Sequence, residues 1–505
     1  MNSESPVLPL PKSLCSRNPV LWASVFGPGA IMASLTIGVG ELVFSSRGGA
    51  LFGYRILFLF LAISAMKWVL VYSTARHMVL TGKHPFERWL SLPGPKGWLS
   101  AVMFVFAIAC FPIWVSFHAS VIGDLIAGMT STKLILNGAV IHAWGAGVLF
   151  VVVGLALIGG YSTLERIQLL VVTAMLGAML VSLVLLKPDW WQMLLGAVLP
   201  QPLAYPDWLM TDSDPLLKQI AETPIWVEAS VYVGVVGGAS YDYLAYTSFL
   251  RNKRWGLAGA DVRHDEAVQL LPDAKRWLRA PMVDCAVSFL VVVVFSAVFV
   301  ASGAIVLAPQ HQVPGDGSFL EHQAQFVTTL HPWLEPLYLF GTLLTMLGTL
   351  YGTLEVAPPI IAEGYRLYRP DVQHPKVAAR LRRVAILWCA FGAGLVLVVS
   401  FFYQIQSGEK QPPGLTNLLT PASLFTGVLS CGIICVLNPW TDRVLPREFQ
   451  PSVFLKIANL IAGIVFLGVG LRAYWKLGGV NAVAILLGTV GVGFLIALIW
   501  RPEKD

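Results

Sequence analysis

Residues 27–42 read GPGAIMASLTIGVGEL, and residues 233–246 read VGVVGGASYDYLAY. Each is an apolar segment interrupted by glycines, with a carboxylate just beyond the interruption: Glu41 in the first, Asp242 in the second. Gly38 and Gly40 fall at the middle of the first segment. Gly237 and Gly238 lead into Ser240, Tyr241 and Asp242 in the second. A helix inside a bilayer has no water for its backbone groups, so unwinding it at mid-depth is tolerated only where the freed amides and carbonyls line a site. Two such interruptions in corresponding places of two halves point to a secondary transporter built from inverted repeats. Close helix packing also explains glycines in apolar helices, but it does not explain an acid beside each break.

The rest of the chain fits a membrane. It has 505 residues, of which 34 are Lys or Arg and 28 Asp or Glu, so 12% are charged. A soluble globular protein carries about 25%. Hydrophobic residues make up 56% and the mean hydropathy is +0.70, which excludes a soluble enzyme, a disordered chain and a disulfide-rich secreted module. The apolar stretches are continuous rather than alternating, which argues against a β-barrel. The six cysteines (Cys15, Cys110, Cys285, Cys389, Cys431 and Cys435) form no CxxC and read as small buried apolar residues.

Working outward from the two interruptions, apolar segments fall near 20–45, 52–75, 99–128, 140–160, 164–186, 225–249, 281–308, 333–362, 382–404, 416–437, 453–474 and 480–500. The hydropathy therefore predicts twelve spans in an all-α polytopic protein. Loops after spans 2, 6, 8 and 10 hold Arg76, Lys83, Arg88 and Lys96; Arg251 to Arg279; Arg366 to Arg383; and Arg443 and Arg447. The loops between them are poor in Lys and Arg, so the positive-inside rule predicts both termini in the cytoplasm, in an inner or plasma membrane. Residues 1–19 lack the apolar core of a signal peptide and read as a cytoplasmic tail. The Pro- and Trp-rich stretch 187–224, with Asp189, Asp207, Asp212 and Asp214, reads as an external loop with an interfacial helix. No nucleotide-binding loop, HExxH, GxSxG or zinc spacing occurs. No ATPase subunit, cofactor, nucleic-acid partner or enzymatic step is therefore expected, and the partners are the bilayer and a small cation.

Charges at membrane depth are functional candidates by default. Glu41 and Asp242 are expected to bind the substrate or a coupling ion, and they are the candidate metal ligands. An Asp is also well suited to capping the second half-helix. Lys67, in AISAMKWVLVY, is expected to find a buried carboxylate, Glu41 or Glu355, or to stand in for a coupling cation. Glu355, just before Pro358 and Pro359, is a second candidate for the ion path, and His118 is a candidate proton relay. Thr36, Ser240 and Tyr241 border the interruptions and offer oxygen ligands, with the backbone of Gly38 and Gly238 beside them.

Residues 27–54, GPGAIMASLTIGVGELVFSSRGGALFGY, resemble the first helix of the Nramp (natural resistance-associated macrophage protein) divalent-metal transporters. The register runs without a gap to Thr81-Gly82. Val121-Ile122-Gly123 resembles the family's EVIG, residues 233–246 lie over its sixth helix, and a GT followed by EGY resembles its GT…EGF. The resemblance implies a LeuT-type fold with two inverted five-helix repeats, 20–186 and 225–437, in one transporter domain that ends in two extra helices, 438–505. It also implies a substrate site between broken helices 1 and 6, and metal transport coupled to protons. The chemistry departs from the family. Its D-P-G-N falls on Gly38-Val39-Gly40-Glu41, its methionine on Tyr241, its P-H on Asp242-Tyr243, its carbonyl-donating alanine on Gly238, and its helix 3 acids on Phe117 and Ser120. Losing a thioether while keeping carboxylates and carbonyls shifts preference toward hard cations such as Mg²⁺, Mn²⁺ or Ca²⁺. The leading expectation is a transporter of a divalent metal ion by alternating access. The alternatives are a LeuT-fold carrier of an amine or amino acid and a non-transporting receptor or scaffold.

Overall fold

In the computed structural model of the chain, the first interruption is a true break. Pro28–Thr36 (α1a) stops at Ile37, and Val39–Phe52 (α1b) starts anew from Gly38. The structure describes residues 8–159, 161–211, 214–260, 271–314, 325, 326, 328, 331–369, 374–409 and 421–500. Helices follow at Leu57–Thr81 (α2), Trp98–Met129 (α3), Val140–Ile158 (α4) and Tyr161–Leu186 (α5). The second interruption separates Ile225–Val235 (α6a) from Ser240–Lys253 (α6b). Then come Arg279–Ser302 (α7), Glu335–Arg366 (α8), Pro375–Ser407 (α9) and Ser430–Thr441 (α10), the last entered through a wide turn at Phe425–Leu429. A continuous run, Val453–Ile499, is divided at Gly479 (φ 58°) into 453–478 (α11) and 480–499 (α12). Among the described residues there is no strand, and eight helices are each long and apolar enough to cross a membrane.

Most of these segments lie within a few residues of the hydropathy bounds; the first span differs. The first span begins at Pro28 rather than near 20. Residues 19–25 form a separate short helix bent 80° from α1a. The bend has a local cause, since Pro28 starts α1a without an amide donor to continue the preceding helix. Arg279 fixes the segment from the other side, donating to the Leu14 and Ser16 carbonyls and lying over the Trp22 ring at 4.6 Å. The expected start of span 10, 416–420, lies outside the described residues, as do Asp212 and Arg263. Between α5 and α6a the expected external loop holds three short helices, Trp190–Val198, Asp207–Thr211 and Pro215–Glu222, and leaves Trp190 and Trp191 exposed.

α7 packs on α1b and α2, while α6b packs on α8, α1a and α2. The two breaks thus meet in the middle of the bundle, enclosed by α2, α7, α8 and α10. Few of these helices carry a distinct polar face, because they are apolar nearly all round.

Candidate functional site

The α6 break turns through Gly237 (φ 86°) and Gly238 (φ 90°). Both lie in the left-handed region that side chains disfavour, so the glycines are required by the turn itself. The turn exposes three successive carbonyls, and each finds a partner. The Lys67 ammonium, from α2, donates to the Val236 oxygen at 2.6 Å and the Gly238 oxygen at 2.7 Å. The Gly237 oxygen between them accepts from the Tyr243 hydroxyl at 2.5 Å and lies 3.5 Å from Thr36 Oγ1. Lys67 is fully buried.

The α1 break is closed differently. Thr349 from α8 lies against it, its hydroxyl 3.3 Å from the Ile37 oxygen and 3.5 Å from that of Ser34. The Gly38 amide turns back onto the Thr36 carbonyl at 2.9 Å.

Glu41 ties the two breaks together. Its Oε1 accepts from the Gly237 amide at 3.0 Å, and its Oε2 accepts from Ser45 at 3.0 Å and from Ser296 of α7 at 2.7 Å. It is fully buried. Three internal donors thus hold the Glu41 carboxylate, one on Oε1 and two on Oε2. Asp242 is half-buried. Its Oδ2 accepts from the Ala239 amide at 2.8 Å, so it caps α6b from the third helical position rather than from the N-cap itself. Among the described residues, Oδ1 has no hydrogen-bond partner.

The other predicted residues are distributed as follows. Tyr241 does not face the break: its hydroxyl donates to the Met103 carbonyl of α3 at 2.5 Å, and its ring packs with Phe111 and Trp114. The ring hydroxyl at the break belongs to Tyr243 instead. Ser240 accepts from Ser430 of α10 at 2.7 Å. Glu355 pairs with Arg382 of α9 at 2.5 Å, so it is not the partner of Lys67. Among the described residues Lys67 makes no ion pair at all, and carbonyls take the place of the expected carboxylate. His118 has an Nδ1 with no hydrogen bond and touches Phe117. It is not part of the cluster at the breaks. Ser120 instead bonds His142 at 2.8 Å.

Three charged residues at the margins carry no motif. Arg47 in α1b makes a two-pronged contact with Glu228 in α6a, at 2.5 and 3.0 Å, and Tyr232 donates to the same carboxylate at 2.7 Å. Beyond the opposite half-helices, Asp284 of α7 accepts from the Gly27 and Gly29 amides at 2.9 and 2.7 Å and from Tyr246 of α6b at 2.8 Å. That is an acid at a helix N-terminus, where dipole and free amides both favour it. The signal that would have found them is a charge inside an apolar span. Past the end of α2, Arg88 donates to Asp442 at 3.0 Å and to Thr441. Burial pulls its pKa down to about 10 against the pull of Asp442.

Among the described residues no three His, Cys, Asp or Glu side chains come together as a ready metal cage. What the breaks offer a cation is one carboxylate oxygen of Asp242, backbone carbonyls, and the negative charge of Glu41 behind them. That is an all-oxygen, hard-cation donor set.

The family model described as Natural resistance-associated macrophage protein-like matches residues 29–476. Among solved structures, a mutant manganese transporter of Eremococcus coleocola is similar at a TM-score of 0.66 and 14% identity, over 98% of this chain and 97% of that one. The same transporter in complex with an aromatic bis-isothiourea substituted compound gives 0.65 and 15%, over 98% and 96%. MhsT in complex with L-phenylalanine gives 0.53 and 14%, over 89% and 98%. At these identities the likeness is one of fold. Among curated proteins none matches.

Proposed function

We propose that this chain, which belongs to the Nramp family, carries a hard divalent cation across its membrane at the α6 break, with Asp242 as the side chain that meets the ion. The family match and the LeuT-type bundle make the chain an integral membrane transporter, and we read it as a carrier without a catalytic step. The observation that supports the site is the free Oδ1 of Asp242, beside a helix break inside an apolar bundle. Mg²⁺ and Mn²⁺ can be held by one or two carboxylates with water completing the shell, so the missing thioether at Tyr241 is no obstacle. Glu41 supplies charge from behind the Gly237 amide and keeps the two breaks in register. The Arg47–Glu228 contact joins the outer half-helices, α1b and α6a, and Asp284 joins the inner ones, α1a and α6b. Alternating access would release one clamp while keeping the other. The basic loops support cytoplasmic termini and a cell membrane, and the five-helix spacing of the breaks supports the division into two repeats and two further helices.

The test is Mn²⁺ uptake into proteoliposomes. Asp242→Asn keeps a side chain able to cap Ala239 and removes the charge, and uptake is expected to fall at least tenfold. Uptake unchanged by this substitution would remove Asp242 from the site. Stimulation by amines or amino acids, with none by Mn²⁺, Mg²⁺ or Ca²⁺, would move the substrate to the organic class.

A further inference from the structure

The best cation ligands at the α6 break are already held by a cation that belongs to the chain. Lys67 reaches across from α2 and places its ammonium on the Val236 and Gly238 oxygens at 2.6 and 2.7 Å. These contacts are at the short end for N–H···O bonds, as charge-assisted bonds are. The charges acting on the ammonium are Glu41 of α1b and Asp242 of α6b, with Cys431 of α10 and Tyr243 close by. A divalent ion binds carbonyl oxygens at roughly 2.0–2.6 Å. Two positive centres cannot share the same two oxygens at those distances. The side chain runs close past Gly237, where an added Cβ would stand 3.0 Å from Lys67 Cδ, so the glycine turn is what lets the lysine reach these carbonyls.

We propose that Lys67 is a tethered competitor of the transported ion and a specificity-determining residue. Its ammonium fills the α6 carbonyls while the site is empty, and the substrate gains them only as the ammonium withdraws. The tether gives this built-in monovalent cation a high effective concentration at the carbonyls. Free monovalent ions therefore lose the competition, whereas a divalent ion, drawn more strongly by Glu41 and Asp242, wins it. The inference rests on the reading of the α6 break as the substrate site.

Equilibrium Mn²⁺ binding to the purified full chain tests it, using wild type, Lys67→Gln, Lys67→Ala and Lys67→Arg. Lys67→Gln and Lys67→Ala are expected to bind Mn²⁺ at least tenfold tighter, and Lys67→Arg as weakly as wild type. Removing a positive charge would by itself tighten binding, so methylammonium supplies the decisive arm. It should compete with Mn²⁺ in Lys67→Ala and leave wild type unaffected. Lys67→Gln keeps an amide donor for one carbonyl and carries the affinity arm if the alanine variant does not fold. Wild type that binds Mn²⁺, with no tightening in Lys67→Gln or no methylammonium competition in Lys67→Ala, overturns the competitor role and leaves the site reading standing. No Mn²⁺ binding by any of the four proteins overturns the site reading and the competitor role with it.

Discussion

The two helix breaks look alike in sequence and are filled in different ways. At α1 the freed carbonyls meet a neutral hydroxyl, that of Thr349, and the acid that follows, Glu41, is spent on three internal donors. At α6 the freed carbonyls hold a charged ammonium, and the acid that follows, Asp242, keeps one oxygen uncommitted. Glycines plus a carboxylate are thus one signal with two uses. One break is sealed and organises the bundle. The other holds the Lys67 ammonium and is where the proposed function puts the ion.

The sharpest way to break this contrast is to remove each acid in turn. Glu41→Ala strands the Gly237 amide and the Ser45 and Ser296 hydroxyls in a water-free interior. At about 1–3 kcal/mol for each of the three orphaned partners, the loss is on the order of 3–9 kcal/mol. Asp242→Ala strands only the Ala239 amide, for roughly 0.5–2 kcal/mol. Thermal unfolding in detergent should show a large drop in melting temperature for the first and a small one for the second. Equal drops would mean that the two acids share one role.

The difference was only partly legible beforehand. Twelve apolar segments, two Gly-rich interruptions and the acids beside them are local features, so the fold and the place of the two breaks could be read from them. Which donor meets which acceptor is not local. Lys67 and Gly238 are 171 residues apart, Arg47 and Glu228 181, and Gly29 and Asp284 255. A buried lysine suggests a buried carboxylate, because ion pairing is the usual remedy for a charge in apolar surroundings. Here broken-helix carbonyls serve instead, a remedy that appears only once the backbone of α6 has been turned through positive φ. Asp284, Glu228 and Arg47 were visible as charges in apolar runs, but no motif marks them.

The backbone of the two breaks offers a smaller test. Gly238 sits at φ 90°, and an added Cβ there would stand 2.8 Å from Thr36 Oγ1. Gly238→Ala should cost about 1–2 kcal/mol from backbone strain alone and weaken Mn²⁺ binding as the carbonyl it carries shifts. Gly38 has φ −131°, open to any residue, and the nearest neighbours of a new Cβ are side-chain atoms of Thr349 at 2.7 and 2.8 Å. Gly38→Ala should therefore be the milder change in both melting temperature and Mn²⁺ affinity. The reverse order would place the more constrained break in α1.

The smallest expected effect separates two tyrosines on one half-helix. Tyr241 lies over the family's metal-binding methionine when the sequences are matched, yet its hydroxyl is given to Met103 and the ring is packed against α3. Tyr243, two residues on, holds the Gly237 oxygen beside Lys67. At 100° per residue the two side chains leave the helix about 200° apart, so the residue that faces the break depends on where α6b restarts. A linear match does not encode that phase. Both Tyr→Phe variants lose one buried hydrogen bond, and each should cost about 1 kcal/mol, so stability cannot tell them apart. Binding can. Tyr243→Phe frees a carbonyl between the two that Lys67 holds and should shift Mn²⁺ affinity about two- to fivefold, whereas Tyr241→Phe should leave it unchanged. A shift for Tyr241→Phe alone would restore that residue to the site and mean that α6b turns during transport.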